Sequence, residues 1–91
     1  QQFPGSVHYR VLLARVLFQA LRDEEAWTVI EDLLQEYPEE YAVYHRLDMV
    51  FNAVNGTKGQ YEGWKHIAGI RAGDRCAKAY LSRAATAMET H

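Results

Sequence analysis

Residues 7–38 read VHYRVLLARVLFQALRDEEAWTVIEDLLQEYP, and this stretch decides the fold class. Its apolar residues recur at three-to-four spacing and never alternate with period two, which is the signature of helix rather than strand. Val11, Leu12, Leu13, Ala14, Val16, Leu17, Phe18, Ala20 and Leu21 cover more than one face of a first helix. A helix apolar on several sides is sandwiched between neighbours or covered by something outside the chain. Ser6 precedes it as a candidate N-cap, after a lead over Gln1–Gly5 that is expected to fray. Asp23 is expected to cap a second helix, with Glu24 and Glu25 at its positive end. In that helix Ala26, Ile30, Leu33 and Tyr37 form the stripe, with Trp27 and Leu34 beside it.

Outward from there the same period continues. Pro38 closes the second helix and can open a third, which is expected to run to about Val54 on a stripe of Tyr44, Leu47, Phe51 and Val54. Asn55-Gly56-Thr57-Lys58-Gly59 reads as a loop. A fourth helix carries Tyr61, Trp64, Ile67 and Ala68 and ends near Gly73. Asp74 then caps a fifth, with Cys76, Ala77, Tyr80, Leu81, Ala84, Ala85 and Met88 directed inward. The expectation is an all-α single domain over 1–91, with about five helices in antiparallel helix-turn-helix pairs.

An internal repeat supports that arrangement. An offset of 34 residues places Leu13 on Leu47, Ala14 on Asp48, Leu17 on Phe51 and Ala20 on Val54, one helical face repeated. Residues 7–38 resemble the tetratricopeptide repeat: Leu13-Ala14 and Leu17 match the large-small-large order of its first helix, and Pro38 falls at its closing proline. A degenerate second copy spans 41–73, with Tyr44, Leu47 and Phe51 in its first helix and Gly63, Ile67 and Ile70 in its second. Residues 74–90 are then a closing helix. Small residues at the crossings permit close helix approach, with large ones filling around them. Departures are visible: Arg10 replaces a large apolar residue, Leu21 the usual turn glycine, Leu33 an alanine and Asp48 a small residue, and no proline closes the second copy. A helical bundle of ordinary type shows similar spacing.

The resemblance implies a protein-interaction module, an adaptor or chaperone-like scaffold that receives a peptide or partner helix. The lysine and asparagine clamp that some such domains use for carboxylate tails is not evident here. Two other readings stand beside it: a homo-oligomerising bundle with a dimer seam of Val11, Val16 and Phe18, and a small ligand-binding or regulatory domain with a pocket near Asp48. Asp48 lies among Tyr44, Leu47 and Phe51, where burial would demand a partner such as Arg10, Arg15 or a tyrosine hydroxyl.

Charge is distributed unevenly behind the formal net value of −2. Residues 1–22 carry three arginines and no acid, whereas 23–48 carry nine acids against Arg46 alone. The eight acids from Asp23 to Glu40 have no cation among them in the sequence, which points to a basic partner steered by an acidic face. Glu31, Asp32 and Glu36 are the expected acidic part of the binding surface, and Tyr44, Tyr61 and Trp64 its aromatic part.

No catalytic constellation stands out, and the chain reads as a non-enzyme without cofactor. The histidines His8, His45, His66 and His91 are far apart, with no i, i+4 pair to hold a metal. Cys76 is expected as a small buried residue rather than a nucleophile, although the first turn of a helix would lower its pKa if exposed. Arg71, Arg75 and Lys78 lack interleaved aromatics or a glycine-rich loop, so nucleic acid is not the expected partner. No apolar run approaches a membrane span, and one cysteine cannot form an internal disulfide, which leans toward a reducing, cytoplasmic setting. The chain begins with Gln1 rather than Met, as a processed form or fragment would, and Asn55-Gly56-Thr57 is formally a glycosylation sequon.

Overall fold

The computed structural model describes residues 6–89, so the expected lead over 1–5 and the terminal Thr90 and His91 lie outside the described residues. Within them every regular element is helical: α1 (Val7–Gln19), α2 (Asp23–Glu36), α3 (Tyr41–Ile70) and α4 (Arg75–Glu89). The protein is all-α.

Local chemistry sets most of the boundaries. Ser6 caps α1 by accepting from the backbone N–H of Tyr9 at 3.0 Å. The helix ends at Gln19, two residues before the expected Leu21, because Leu21 takes a left-handed φ of 63° to turn the chain into α2. Asp23 is not the cap of α2. Arg22 occupies that position without a side-chain hydrogen bond, and Asp23, Glu24 and Glu25 fill the first turn, where carboxylates meet the positive helix end. Pro38 does not open the third helix: Glu39 has a left-handed φ of 55°, and α3 starts only at Tyr41. Asp74 does cap α4, its Oδ1 accepting from Ala77 N–H at 3.0 Å.

The expected count of five helices becomes four elements, because residues 41–70 form one. They are broken at Asn55 and Gly56, where the backbone leaves helical geometry; Thr57, Lys58 and Gly59, expected as loop, are helical. The break folds α3 back on itself. Asp48 and Trp64 are 16 residues apart, about 24 Å along a straight helix, yet their side chains are hydrogen-bonded at 2.9 Å. Gly56 makes the reversal with φ 61° and ψ −149°, a region essentially reserved for glycine. Gly63 lets the two arms (41–54 and 57–70) close: a Cβ there would lie 2.6 Å from the Phe51 ring.

The chain is therefore an α1–α2 hairpin, a folded α3, and α4 laid along it. One core joins them, built from Val11 and Ala14 of α1, Ile30, Leu33 and Leu34 of α2, Tyr44, Leu47, Phe51, Trp64 and Ile67 of α3, and Ala77 and Tyr80 of α4. Aromatic rings tie the elements together. Trp64 stacks between Tyr44 and Tyr80, at 5.7 and 4.7 Å, and receives the edge of Phe51 at 5.3 Å. Each such pair adds about 0.5–1.5 kcal/mol beyond simple burial.

Candidate functional site

The structure separates the residues singled out from the sequence. Tyr44 and Trp64, expected on a binding surface, are wholly buried. Their rings are the largest apolar bodies available to the α3–α4 interior, so the core claims them. Tyr61 stays half-buried, with the Lys65 ammonium 5.7 Å from its ring. Glu31, Asp32 and Glu36 are exposed, as expected of the face opposite Ile30 and Leu33.

The acidic face is nevertheless less bare than the sequence suggests. Glu36 forms an ion pair with Arg10, Glu25 with Arg22, and Glu39 with Arg75 at 3.6 Å. The cations come from α1, the α1–α2 turn and α4, so linear spacing could not reveal them all. Among the described residues Asp23, Glu24, Glu31, Asp32 and Glu40 have no ion pair.

Asp48 and Arg10, paired in expectation as a polar anchor, work apart. Asp48 accepts from Trp64 Nε1 at 2.9 Å and from Gln60 Nε2 at 3.1 Å. Its carboxylate thus satisfies the buried indole and pins the two arms of α3. Arg10 reaches α2 instead, where it meets Glu36 and lies 6.0 Å over the Tyr37 ring. The cavity beyond Asp48, walled by Gln60, Tyr80, Arg83, Ala84 and Ala87, has about 130 Å³. Organic ligands occupy sites of roughly 300–1,000 Å³.

The supposed dimer seam also divides. Val11 is buried and Phe18 packs on the core, its ring 5.3 Å from Trp27 and 6.3 Å from Phe51. Only Val16, 57 % exposed, remains open.

The buried polar centre lies elsewhere, at the start of α4. Asp74 is almost fully buried and takes the Tyr44 hydroxyl and Arg71 Nε on Oδ2 and the Ala77 amide on Oδ1. Burial, then the bond to Asp74, pushes the Tyr44 hydroxyl up to about 12. The Cys76 thiol donates to the Glu39 carbonyl at 3.7 Å. Burial followed by the charges of Asp74 and Glu39 raises its pKa, the reverse of the lowering expected at an exposed helix start. Glu39, Asp74 and Cys76 bring ligand-type atoms within 4.8 Å of one another. Both Asp74 oxygens are already engaged and Glu39 is paired to Arg75, so the cluster is a clamp between α3 and α4. The sequence signal for it was the cap motif at Asp74; its tie to Tyr44 had none.

Two clefts remain. One, of about 320 Å³, lies under the α1–α2 turn against Trp27, Phe51 and His66, but its rings are already stacked on one another, Trp27 on His66 at 3.9 Å. The other, of about 470 Å³, runs between α1 and residues 41–54 of α3. Val11 and Val50 make its floor, Leu12 and Met49 rise from its sides at 45 % and 60 % exposure, and His8, Arg15 and Arg46 stand around it. Arg15 and Arg46 have no ion pair among the described residues. Asp48 and Gln60 also line this groove, so it lies beside the residue at which the sequence suggested a pocket. Its pairing with an α1 wall was not foreseen, because that needs two helices side by side. The excess apolar surface of α1 was its visible half.

No protein-family model, curated protein or solved structure matches this chain. No helix among the described residues is long and apolar enough to cross a membrane.

Proposed function

We propose that this protein is an interaction module of helical-repeat type, an adaptor or chaperone-like scaffold, whose docking surface is the groove between α1 and α3. The observation that carries the reading is the groove itself: exposed Leu12 and Met49 over a floor of Val11 and Val50, with two arginines left unpaired. Large exposed apolar side chains gathered in one concavity mark interaction sites, whereas singly scattered ones carry no such meaning. The repeat reading is supported by the succession of an α1–α2 hairpin, a folded-back α3 and α4, and by Gly63 standing at the close approach to Phe51. In stacked helix pairs the first helices of successive pairs line a shared face, and on this reading α1 and residues 41–54 would be those helices.

The role is binding rather than chemistry. Homo-oligomerisation is the weaker reading, because Val11 and Phe18 are spent internally. A two-fold dimer across the groove would also bring the arginines of both copies into one interface whose only carboxylate is the engaged Asp48.

A photo-crosslinking amino acid placed at Met49, and for comparison at Asp32, tests the assignment in the native cell. Adducts confined to Met49 are expected. Adducts at Asp32 alone would move the interface to α2, and a dominant chain-to-chain adduct at Met49 would restore the oligomer.

A further inference from the structure

We infer that the groove between α1 and α3 receives an acidic amphipathic helix from a different protein. This rests on the docking reading above and adds the chemistry of the occupant.

Shape selects a helix. His8 and Leu12 on α1, and Met49 and Ala53 on α3, are two i, i+4 pairs on the groove lining, the spacing that seats one helix face against another. An extended segment would need backbone partners, and the groove is walled by two helices whose own N–H and C=O groups are paired internally. Its amide side chains are also committed, since Asn52 donates to Gln60 at 3.3 Å and Gln60 to Asp48. A helix brings its backbone already satisfied.

Charge selects acid. α1 holds Arg10 and Arg15 and no carboxylate, and residues 41–54 hold Arg46 with Asp48 as the sole acid. Asp48 also lines the groove as a carboxylate, but it is held on both oxygens by Trp64 and Gln60 and forms no ion pair among the described residues. The lining therefore carries the two guanidinium groups of Arg15 and Arg46 against one engaged carboxylate. An unpaired guanidinium presents a planar fork of donors suited to a carboxylate. Apolar anchors flanked by Glu or Asp therefore complement the groove.

A second copy of this chain does not provide such a helix. Its acidic element is α2, whose apolar residues are buried (Ala26, Ile30, Leu33 and Leu34) or partly buried against the core (Trp27 and Val29), leaving a polar outer face without free anchors. α4 turns Ala77, Tyr80 and Ala84 inward and carries Lys78 and Arg83 outward. The occupant comes from elsewhere.

The test uses a displayed library of helical peptides of about five turns (roughly 18 residues), with leucines at i, i+4 and i+7 and Glu, Lys or Gln free elsewhere. It is selected against the wild-type chain, and recovered peptides are measured on two variants that keep wild-type circular dichroism. Glu-rich peptides are expected. Their binding should vanish with Leu12→Asn/Met49→Asn, and should weaken about tenfold or more with Arg15→Glu/Arg46→Glu, with the salt dependence flattened. Lys-rich or charge-indifferent peptides that still require Leu12 and Met49 would overturn the acidic occupant and leave the groove. Peptides indifferent to Leu12→Asn/Met49→Asn, or no binders at all, would overturn the docking reading itself. Concentration-dependent dimerisation abolished by Leu12→Asn/Met49→Asn would make the second copy the occupant.

Discussion

α1 and α2 lie side by side in one hairpin and end in opposite conditions. α2 is finished: Ala26, Ile30, Leu33 and Leu34 are buried, and its outer face is acid and amide in water. α1 is not. With Val11 and Ala14 in the core it still shows Leu12 and Val16 to solvent, beside an arginine without a carboxylate. The difference teaches where to look for a partner. An acidic helix face is a stable end state in water, since charges there cost nothing to leave exposed, whereas open apolar side chains beside unpaired guanidinium groups describe surface awaiting cover. The sequence pointed to the acidic face because charge is legible residue by residue, and the groove is not.

The sharpest break of this comparison lies within two consecutive residues of α3. Val50 is the groove's floor and almost fully buried, while Met49 is its lip. Val50→Asn would bury an amide without partners and lose apolar contact, a destabilisation of about 3–5 kcal/mol. Met49→Asn should change stability by about 0.5 kcal/mol or less, as exposed substitutions do. Urea unfolding of both variants measures the contrast. Equal losses would mean that Met49 is part of the core and the groove is closed.

A second contrast sets Asp48 against Asp32. Asp48→Ala leaves the buried Trp64 indole N–H without its acceptor, at a cost of about 1–3 kcal/mol. Asp32→Ala removes an exposed acid with no ion pair among the described residues, and its effect should stay within about 0.5 kcal/mol. If Asp32→Ala proves the costlier, the acidic face is structural and not merely solvated.

Alkaline titration separates core from groove. The Tyr44 hydroxyl titrates near 12 in the folded chain, against about 10 when unfolded. Its contribution is therefore whole below pH about 10 and is lost as pH rises toward 12, because the unfolded state releases the proton first. Burial drives Tyr80 in the same direction. Stability measured by denaturant should fall across this window, and less steeply in Tyr44→Phe. Neither tyrosine lines the α1–α3 groove, so peptide binding should fail only when the fold does. Loss of binding across this window with the fold intact would tie the docking surface to the tyrosine core and not to the groove.

How much of this was legible follows from the range of each interaction. Helical period, the Ser6 and Asp74 caps, the inward stripe of α2 and that of α4 through Ala77, Tyr80 and Ala84 are local, and the sequence carries them, whereas Met88, expected inward, is exposed. The reversal at Asn55-Gly56 was legible as a break but not in its extent, since a glycine at φ 61° needs only two residues where five were expected. Tyr44 and Trp64 were placed on a surface because aromatic residues serve interfaces and cores alike. Only the fold-back of α3, with Gly63 under Phe51, decides that they stack inside. The Arg10–Glu36 pair spans 26 residues and the Tyr44–Asp74 bond 30, distances at which no pattern connects two side chains.

The smallest expected effect tests the turn that joins the two contrasted helices. Leu21 has a left-handed φ of 63°, a conformation that glycine adopts without strain. A residue with a Cβ is strained there by about 1–2 kcal/mol. Glycine removes that strain and returns part of the gain as greater freedom of the unfolded chain. The Leu21 side chain is 87 % exposed, so its loss gives up little burial. Leu21→Gly should therefore stabilise the protein by about 0.5–1 kcal/mol, read as a rise in the urea midpoint with unchanged slope. Because Leu21 borders the Trp27 cleft and not the α1–α3 groove, peptide binding should be unaffected. Weaker binding in Leu21→Gly would relocate the docking surface to the α1–α2 turn, and a loss of stability would mean that the exposed leucine is covered in solution by a contact of its own.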